Sequence, residues 1–369
     1  MIQTKQQEAV RKFNKVKRMA LFSSMGTGKT KMALDCISSK RALVVGPLRP
    51  IKHTWPEEIK KWHPNANIDL INYESLHKLQ HTNYDMVVFD ESTYVKNPKT
   101  KRFKRSLALA KKAEYVLLLT GTPMPRNVED IWAQIYLLDF GKRLGTLAQF
   151  RNRFMTPIKL APYVTIYKPK PFAHVTVQEI IKDITFSFEL ELEVNRIFET
   201  VEFRQNKPIQ GDTLIETLHA LSTHSLAKAE WIKKNGPSIV GINFRKEAQM
   251  LKDYLPNSAM VIGNTRNTKA LDLWNQKKID FLILHPGAAG YGLNLQYGGS
   301  RVIWHSLPLD LEQYDQLNAR VYRMGQDQEC SVTHCIYKGS LEEKVNELLK
   351  RKDLTQKEFL RRLKKNENQ

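Results

Sequence analysis

Glycine, lysine and threonine are concentrated in one short stretch near the start of the chain. Residues 23–30 have the sequence SSMGTGKT and lie between an apolar run at 15–23 and an amphipathic pattern at 29–39. A strand, a glycine turn and a helix in this order form a phosphate-binding loop, because the glycines let backbone N–H groups approach the phosphates. Lys29 would reach the terminal phosphates, and the Thr30 hydroxyl would ligate Mg²⁺. The loop residues that we predict to bind the nucleotide are Met25, Gly26, Thr27, Gly28, Lys29 and Thr30.

Residue 23 departs from the strict pattern of such loops. The pattern G-x-x-x-x-G-K-[ST] begins with glycine, and this chain has Ser23 in that place. An ordinary turn is therefore the alternative for the loop taken alone. The motifs further along the chain favour the phosphate-binding loop.

Two adjacent carboxylates follow the loop, at the end of another apolar run. Asp90 and Glu91 end YDMVVFDE at 84–91, and a carboxylate at the tip of a central parallel strand lies at the ligand-binding edge of its sheet. We expect Asp90 to hold the Mg²⁺ that Thr30 contacts, and Glu91 to orient or deprotonate the attacking water. LTGTPMPRN at 119–127 ends the next strand, where its hydroxyl groups suit a γ-phosphate sensor, although Thr-Gly-Thr-Pro is also a good turn sequence.

A pair of arginines in the second half of the chain could assist the same chemistry. Arg320 and Arg323 fall in the helical pattern at 311–324, where a spacing of three residues places them on one face. Two guanidinium groups in a cleft between lobes would stabilise charge on a transferring phosphate, an effect worth about 10³ to 10⁵ in rate. A solvated arginine pair on a helix surface is the alternative.

Strands and helices alternate along most of the chain, which predicts an α/β fold with doubly wound parallel sheets. The first series contains strands at 42–47, 67–73, 84–92 and 115–123, and the second contains strands at 238–244, 258–263, 280–286, 301–306 and 331–337. A single long helix is predicted at 213–235. We therefore divide the chain into an ATP-binding lobe at 1–150, a connecting segment at 151–205, a second lobe at 206–345 and a basic helical tail at 346–369.

Composition indicates a nucleic-acid partner and no membrane segment. The 369 residues include 58 Lys and Arg against 38 Asp and Glu, for a formal charge of +20. Such an excess favours a polyanionic partner, nucleic acid first, with a generally basic, soluble surface as the alternative. No apolar run approaches the roughly 18 residues that span a bilayer, and the N-terminus has no signal-peptide core, so we expect a cytoplasmic protein. Cys36, Cys330 and Cys335 have neither zinc-site nor disulfide spacing and are predicted to be reduced and packed.

Taken together, the motifs resemble those of helicase superfamily 2, and more narrowly its Swi/Snf-type branch of ATP-driven DNA translocases. The first lobe carries the resemblance in SSMGTGKT, VVGPLRPIKHTWPEEIKKW, DESTYVKNP and LTGTPMPRN, and the second lobe in SIVGINF, HPGAAGYGLNLQ and QYDQLNARVYRMGQ. The second-lobe motifs are most similar to those of compact bacteriophage members, for which the host cytoplasm would be the location. The resemblance implies two tandem RecA-like lobes with ATP in the cleft between them.

The resemblance also implies roles for residues outside the loop. Gln6 is similar to the adenine-reading glutamine of the family, and superfamily 2 loops often lack the first glycine. Gly290, Gly292 and Asn294 fall in the motif that couples nucleotide to nucleic acid. Gln316, Arg320 and Arg323 fall in the arginine-finger motif. The sequence departs from the family pattern in two places. Ser92-Thr93 stands where many relatives have Ala-His or Gly-His, and residues 150–205 fit the family poorly.

The leading hypothesis is a DNA-stimulated ATPase that translocates on or remodels duplex DNA without sequence specificity. Candidates for its phosphate-contacting track are basic residues that follow the acidic pair, with a solvated basic helix as the alternative: Lys96, Lys99, Lys101, Arg102, Lys104 and Arg105. The other hypotheses are a strand-separating helicase on forked or branched DNA, an RNA helicase, and a nucleotide-gated switch that does not hydrolyse ATP. The sequence identifies no protein partner.

Overall fold

Two parallel β-sheets flanked by helices form the framework of the chain. A computed structural model describes residues 2–80, 82–161, 164–189, 192–205, 209–262, 268–289, 294–323 and 325–365. The chain separates into two compact units, unit 1 with residues 1–190 and 352–369, and unit 2 with residues 191–351. Each unit contains one six-stranded sheet, as the predicted two-lobed α/β fold requires.

The sheet of unit 1 is parallel throughout, with the strand order β3-β2-β4-β5-β1-β8. Its strands are β1 (Arg18–Leu21), β2 (Ala42–Gly46), β3 (Ile68–Asn72), β4 (Met86–Asp90), β5 (Tyr115–Leu119) and β8 (Thr185–Phe186). Alternate residues of the central strands enter two apolar clusters, with Val87 and Phe89 in one and Met86 and Val88 in the other. Strands that are buried on both faces in this way are continuous apolar runs, which is why the sequence predicts them well.

The helices of unit 1 connect these strands. They are α1 (Ile2–Val16), α2 (Lys29–Ile37), α3 (Trp55–Trp62), α4 (Lys101–Lys112), α5 (Glu129–Asp139), α6 (Leu147–Phe154) and α7 (Ala173–Ile181). A π-helical turn at Pro50–Thr54 leads into α3, and 3-10 turns occupy Tyr73–Lys78, Ser92–Val95 and Lys182–Ile184. The strands β6 (Met155–Ala161) and β7 (Val164–Pro169) form a separate antiparallel hairpin.

Unit 2 has its own parallel sheet, with the strand order β11-β12-β10-β13-β14-β9. Its strands are β9 (Arg196–Phe203), β10 (Ser238–Gly241), β11 (Ser258–Val261), β12 (Phe281–Leu284), β13 (Arg301–Trp304) and β14 (Cys330–Tyr337). Its helices are α8 (Leu214–Thr223), α9 (Leu226–Lys234), α10 (Arg245–Tyr254), α11 (Thr268–Asn275), α12 (Pro286–Ala289), α13 (Leu311–Asn318) and the first part of α14 (Leu341–Lys365).

The segment predicted to connect the lobes, 151–205, supplies an edge strand to each sheet. β8 pairs with β1 in unit 1, and β9 pairs with β14 in unit 2. The tail proposed at 346–369 is the continuation of α14, which belongs to unit 2 through Arg351 and to unit 1 from Lys352. Phe359 and Leu360 of that helix are buried in the apolar cluster of unit 1.

Two predicted helices are wrong in their extent. The helix expected at 213–235 is divided into α8 and α9, because the Thr223 and Ser225 hydroxyls donate to the carbonyls of His219 and Leu221 and compete with helix continuation. The helix expected at 311–324 ends at Asn318. Arg320 and Arg323 therefore do not share a helix face.

All three cysteines are buried and free, as predicted. Burial raises the pKa of Cys36 and of Cys335 to about 12 and that of Cys330 to about 11, so the thiols are protonated at neutral pH. Among the residues that the structure describes, no helix has the length and apolar character to cross a bilayer.

Candidate active site

The glycines of the 23–30 loop adopt backbone conformations that other residues avoid. Gly26 and Gly28 both have φ of 80°, and Gly28 precedes α2 in the left-handed region. A Cβ atom on Gly28 would lie 2.6 Å from Nε2 of Gln6. The backbone angle therefore requires glycine at residue 28, and a side chain there would displace the end of Gln6.

Gln6 anchors the same loop from α1. Its side chain is 8% exposed, and its Nε2 donates a 2.9 Å hydrogen bond to the carbonyl of Thr27. The buried Thr27 hydroxyl donates to the carbonyl of Ser24 at 2.8 Å and tightens the turn. Gln6 thus lies against the loop, and its adenine-reading role stays a prediction.

Ser23, which replaces the expected glycine, holds the loop to the edge of the sheet. Its buried hydroxyl accepts a 3.3 Å hydrogen bond from the backbone N–H of Phe188. The N–H of Ser24 donates to the carbonyl of Phe188 at 3.1 Å, so the chain after β8 continues beside the loop. The serine side chain therefore has a structural function at this position.

Lys29 lies inside the loop, with its ammonium group on loop carbonyls. Its Nζ donates to the oxygens of Ser23 at 2.9 Å and Ser24 at 3.0 Å. Burial lowers the pKa of Lys29, whereas the negative charges of Glu91 and Asp90 raise it. A Cβ on Gly121 would lie 3.4 Å from this Nζ, which places the 119–127 loop beside it. The three motifs therefore meet within unit 1.

The Asp90 carboxylate is held at both of its oxygens. Trp55 Nε1 donates to Oδ2 at 2.9 Å, and the N–H of Glu91 donates to Oδ1 at 3.1 Å. Burial raises the pKa of Asp90, while the bond from Trp55 and the charge of Lys29 lower it. Tyr73 fixes the backbone as well, because its hydroxyl donates to the carbonyl of Asp90 at 2.9 Å.

Glu91 adopts a strained backbone conformation. Its φ of 47° lies in the left-handed region, which costs a non-glycine residue of order 1 kcal/mol or more and is concentrated at functional sites. The side chain is 8% exposed, and its Oε2 accepts a 3.4 Å hydrogen bond from the Thr120 hydroxyl. This contact joins the predicted base to the predicted γ-phosphate sensor.

Ser92, one of the departures from the family pattern, connects the acidic pair to the 119–127 loop. Its hydroxyl donates to Oε1 of Gln134 at 2.7 Å, and Nε2 of Gln134 donates to the carbonyl of Pro123 at 2.9 Å. The hydroxyl of Thr122, on the same loop, is buried and has no hydrogen-bond partner in the part of the chain that the structure describes.

These residues fit a magnesium nucleotide. An oxygen donor set of Asp90 carboxylate and Thr30 hydroxyl is the type that Mg²⁺ prefers, and Thr30 is the second residue of α2. The buried Thr122 hydroxyl follows Gly121, the residue beside Lys29, and has its hydrogen-bonding capacity unused among the described residues. Met25 of the 23–30 loop packs against the 119–127 loop, because its Cγ lies 3.2 Å from the Cβ position of Gly121.

The residues predicted in the second half lie in unit 2. Gln316 is on α13 and donates from Nε2 to Oε1 of Glu312 at 3.2 Å. Arg320 is 8% exposed and follows the helix, where its N–H donates to the carbonyl of Leu317 at 3.0 Å. Arg323 is half-buried and also lies beyond the end of α13. Their catalytic roles remain predictions.

Some predicted residues lie elsewhere or outside the described chain. Gly290 and Gly292 are outside the described residues, and Asn294 is exposed, with its carbonyl accepting from Asn275 at 2.8 Å. In the predicted basic track, Arg102 is paired with Glu74 at 2.7 Å and stacked on Tyr94. Lys99, Lys101 and Lys104 are exposed.

Sequence reasoning missed three side chains of this site. The sequence patterns predict no individual role for Trp55, Tyr73 or Gln134. Each reaches the site through a contact between residues distant in sequence, 35 positions for Trp55, 17 for Tyr73 and 42 for Gln134. Trp55 is fully buried, but no local sequence pattern indicates its contact with Asp90.

Comparisons with known proteins agree with the sequence motifs. Residues 67–221 match the SNF2-related domain. Protein p41 of Acyrthosiphon pisum secondary endosymbiont phage 1 is 26% identical and aligns over 90% of this chain and 92% of its own length. The Bos taurus DNA annealing helicase and endonuclease ZRANB3 is 24% identical over 91% of this chain, which spans 38% of that protein.

A structural comparison matches nearly the whole chain. The Sulfolobus solfataricus SWI2/SNF2 ATPase core, solved in complex with double-stranded DNA, is 21% identical and has a TM-score of 0.46, with 97% of this chain and 94% of that chain covered. Residues 67–221 of this chain thus match an SNF2-related domain, and the phage protein p41 is similar to it over most of both chains.

Proposed function

We propose that this protein is a DNA-stimulated ATPase motor of helicase superfamily 2 that hydrolyses ATP to translocate on or remodel duplex DNA. The observation that carries the proposal is the meeting of Lys29 with the Asp90–Glu91 pair in unit 1. The 119–127 loop lies beside the Lys29 ammonium, and its Thr120 hydroxyl donates to Oε2 of Glu91. A cation for phosphates, a carboxylate for a metal and a second carboxylate for water are the parts that nucleotide hydrolysis needs.

Each side chain has a distinct part in the proposed reaction. Lys29 binds the terminal phosphates and offsets their charge, and Glu91 orients the attacking water and accepts its proton. Thr30 and Asp90 would hold Mg²⁺, which when bound would neutralise charge on the phosphate oxygens. Trp55 and the N–H of Glu91 fix the Asp90 carboxylate in one orientation. Gln316, Arg320 and Arg323 of unit 2 supply further stabilisation of phosphate charge.

Duplex DNA is the proposed substrate of the motor. The match to the SNF2-related domain and the similarity to a DNA annealing helicase support DNA over RNA. The net charge of +20 supports binding through the phosphate backbone, which carries little sequence information. We place the protein in the cytoplasm, in the host if a phage encodes it.

The test is a side-by-side ATPase titration with blunt duplex DNA, single-stranded DNA, forked DNA and RNA at one salt concentration. We expect blunt duplex to stimulate hydrolysis, with little dependence on sequence. Stimulation by single strands or RNA alone would overturn the proposal in favour of a strand-separating or RNA helicase. Preference for forked DNA would indicate remodelling of branched DNA, and absence of any hydrolysis would indicate a nucleotide switch.

A further inference from the structure

The stretch around the β6–β7 hairpin of unit 1 is one-sided in charge. Residues 140–178 contain seven Lys and Arg residues and no Asp or Glu, although the whole chain has 38 acidic residues. The hairpin and its flanks carry five of these cations, namely Arg151, Arg153, Lys159, Lys168 and Lys170. The family motifs quoted above include none of them.

Both faces of the hairpin are accessible. Thr156 is opposite Lys168 on one face, and Lys159 is opposite Thr165 on the other, because successive residues of a strand alternate in direction. All four of these side chains are exposed. In the described part of the chain no ion pair is formed by Lys159 or Lys168.

The hairpin emerges at the same edge of the sheet as the candidate active site. Glu129 begins α5 directly after the 119–127 loop, and Asp139 ends this helix at the opposite edge. α6 returns antiparallel to α5, since Arg143 contacts Asp139 and Arg151 contacts Glu129 at 2.7 Å. The hairpin follows α6 without a break, so its base lies on the Glu129 side. Ligands of parallel sheets bind at this carboxyl edge.

The composition of the hairpin disfavours pairing with another strand. Pro157 and Pro169 lie in its two strands, and proline and lysine on edge strands oppose edge-to-edge addition. A two-stranded ribbon does fit the major groove of B-DNA, where phosphates lie on both sides. A ribbon with one lysine on each face has the charge that such a groove requires.

We propose that the β6–β7 hairpin is a second DNA-binding surface, which enters a groove of the duplex and contacts phosphates with Lys159 and Lys168. The proposal rests on the proposed function, because it names where unit 1 holds the DNA. It adds contacts outside the basic track at 96–105. Arg153, exposed at the base of the hairpin, extends the same surface.

The experiment measures binding of the full chain to a fluorescein-labelled blunt DNA duplex by anisotropy at several salt concentrations. The variants are Lys159→Gln, Lys168→Gln and the double variant. The plot of log K against log salt has a negative slope, and each lost phosphate contact reduces its magnitude by about 0.9. The double variant should therefore have a slope that is smaller in magnitude by about 1.8. At 0.1 M salt this corresponds to at most about tenfold weaker binding per lysine. A single strand of the same sequence should be affected less.

The control variant Lys15→Gln/Lys111→Gln removes the same charge elsewhere. Both lysines are exposed near the ends of α1 and α4, just before β1 and β5, and therefore at the opposite edge of the sheet. Its salt slope should equal that of the unmodified protein. An equal loss in this control, an unchanged slope in the hairpin double variant, or an equal loss on the single strand would each overturn the proposal. Duplex-stimulated ATPase activity of the unmodified protein, measured in parallel, tests the proposed function separately.

Discussion

Trp55 Nε1 donates a 2.9 Å hydrogen bond to Oδ2 of Asp90. The bond joins the first residue of α3 to the last residue of β4 and fixes the orientation of the carboxylate that we assign to Mg²⁺. Trp55 is fully buried, and the π-helical turn at Pro50–Thr54 leads the chain into this position. Such turns are frequent at functional sites.

Trp55→Phe should weaken Mg²⁺-dependent hydrolysis while keeping an aromatic ring in the core. A hydrogen bond to a charged group contributes about 1.5–3 kcal/mol, so the Mg²⁺ concentration for half-maximal ATPase rate should rise about tenfold to a hundredfold. The bond also lowers the pKa of Asp90, and its loss should move the acidic limb of the pH–rate profile to higher pH. Mg²⁺ titrations at several pH values measure both effects.

Trp62→Phe is the matched control on the same helix. Trp62 Nε1 donates to Oε2 of Glu58 at 2.8 Å, but this pair is exposed. The control should leave the Mg²⁺ dependence unchanged. An unchanged Mg²⁺ requirement and pH profile in Trp55→Phe would show that the tryptophan only packs against the strand.

Lys29→Ala and Glu91→Gln should impair hydrolysis in different ways. Lys29 contacts phosphates in the ground state, so its loss should weaken ATP binding as well as turnover. Glu91→Gln keeps the size of the side chain but removes the base, so this variant should bind ATP and stall. Equilibrium binding of ATP and phosphate release, measured for both variants, separate the two outcomes.

Lys31→Ala serves as the control for charge loss on α2, because Lys31 is paired with Asp35 at 2.7 Å instead of with the loop. It should retain the ATPase rate. Hydrolysis by Glu91→Gln at the parent rate would show that another group activates the water.

The strands and the loop could be predicted from sequence, because both depend on local patterns. The apolar runs that became β4 and β5 are buried on both faces, and glycine at 28 is required by its own backbone angle. The contacts that complete the site are not local. Nothing near Asp90 in the sequence indicates that Trp55 holds it.

The predicted helix at 311–324 is longer than α13, which ends at Asn318. Residues 319–323 contain no proline or glycine, and the pattern therefore continued to predict a helix. In the structure the Val321 carbonyl accepts from Nε2 of Gln326 at 3.1 Å, and the Asn318 side chain accepts from Trp304 at 3.0 Å. A nearby side chain thus binds the Val321 carbonyl, and β13 holds the Asn318 side chain. The helical pattern at 311–324 shows neither bond. The break at Thr223–Ser225, by contrast, has a local cause, because the hydroxyls of Thr223 and Ser225 bond to carbonyls four residues earlier.

Arg320→Ala and Arg323→Ala should each lower DNA-stimulated turnover by about 10³ to 10⁵ while ATP affinity is largely retained. The reason is that an arginine finger acts on charge that develops during transfer. Rates at saturating DNA and equilibrium ATP binding give the two quantities. Arg204→Ala, which removes an exposed charge of unit 2, should change neither. A loss confined to DNA affinity would instead place the two arginines on the DNA-binding surface.

His334 should make the stability of unit 2 depend on pH. Burial lowers the pKa of His334 from 6.5 to about 4, and the neutral ring bridges Asn346 at 2.8 Å and the Tyr314 hydroxyl of α13 at 2.9 Å. Because the folded pKa is depressed, the stabilisation is complete above pH 6.5 and is lost as the pH falls toward 4. This pKa shift corresponds to about 3 kcal/mol of unfolding free energy.

Urea unfolding between pH 6.5 and 4 measures the loss of unfolding free energy on acidification. The loss should be smaller in His334→Gln and unchanged in the exposed control His224→Gln. An equal pH dependence in His334→Gln would assign the acid sensitivity to other groups, such as His285, whose pKa burial also lowers.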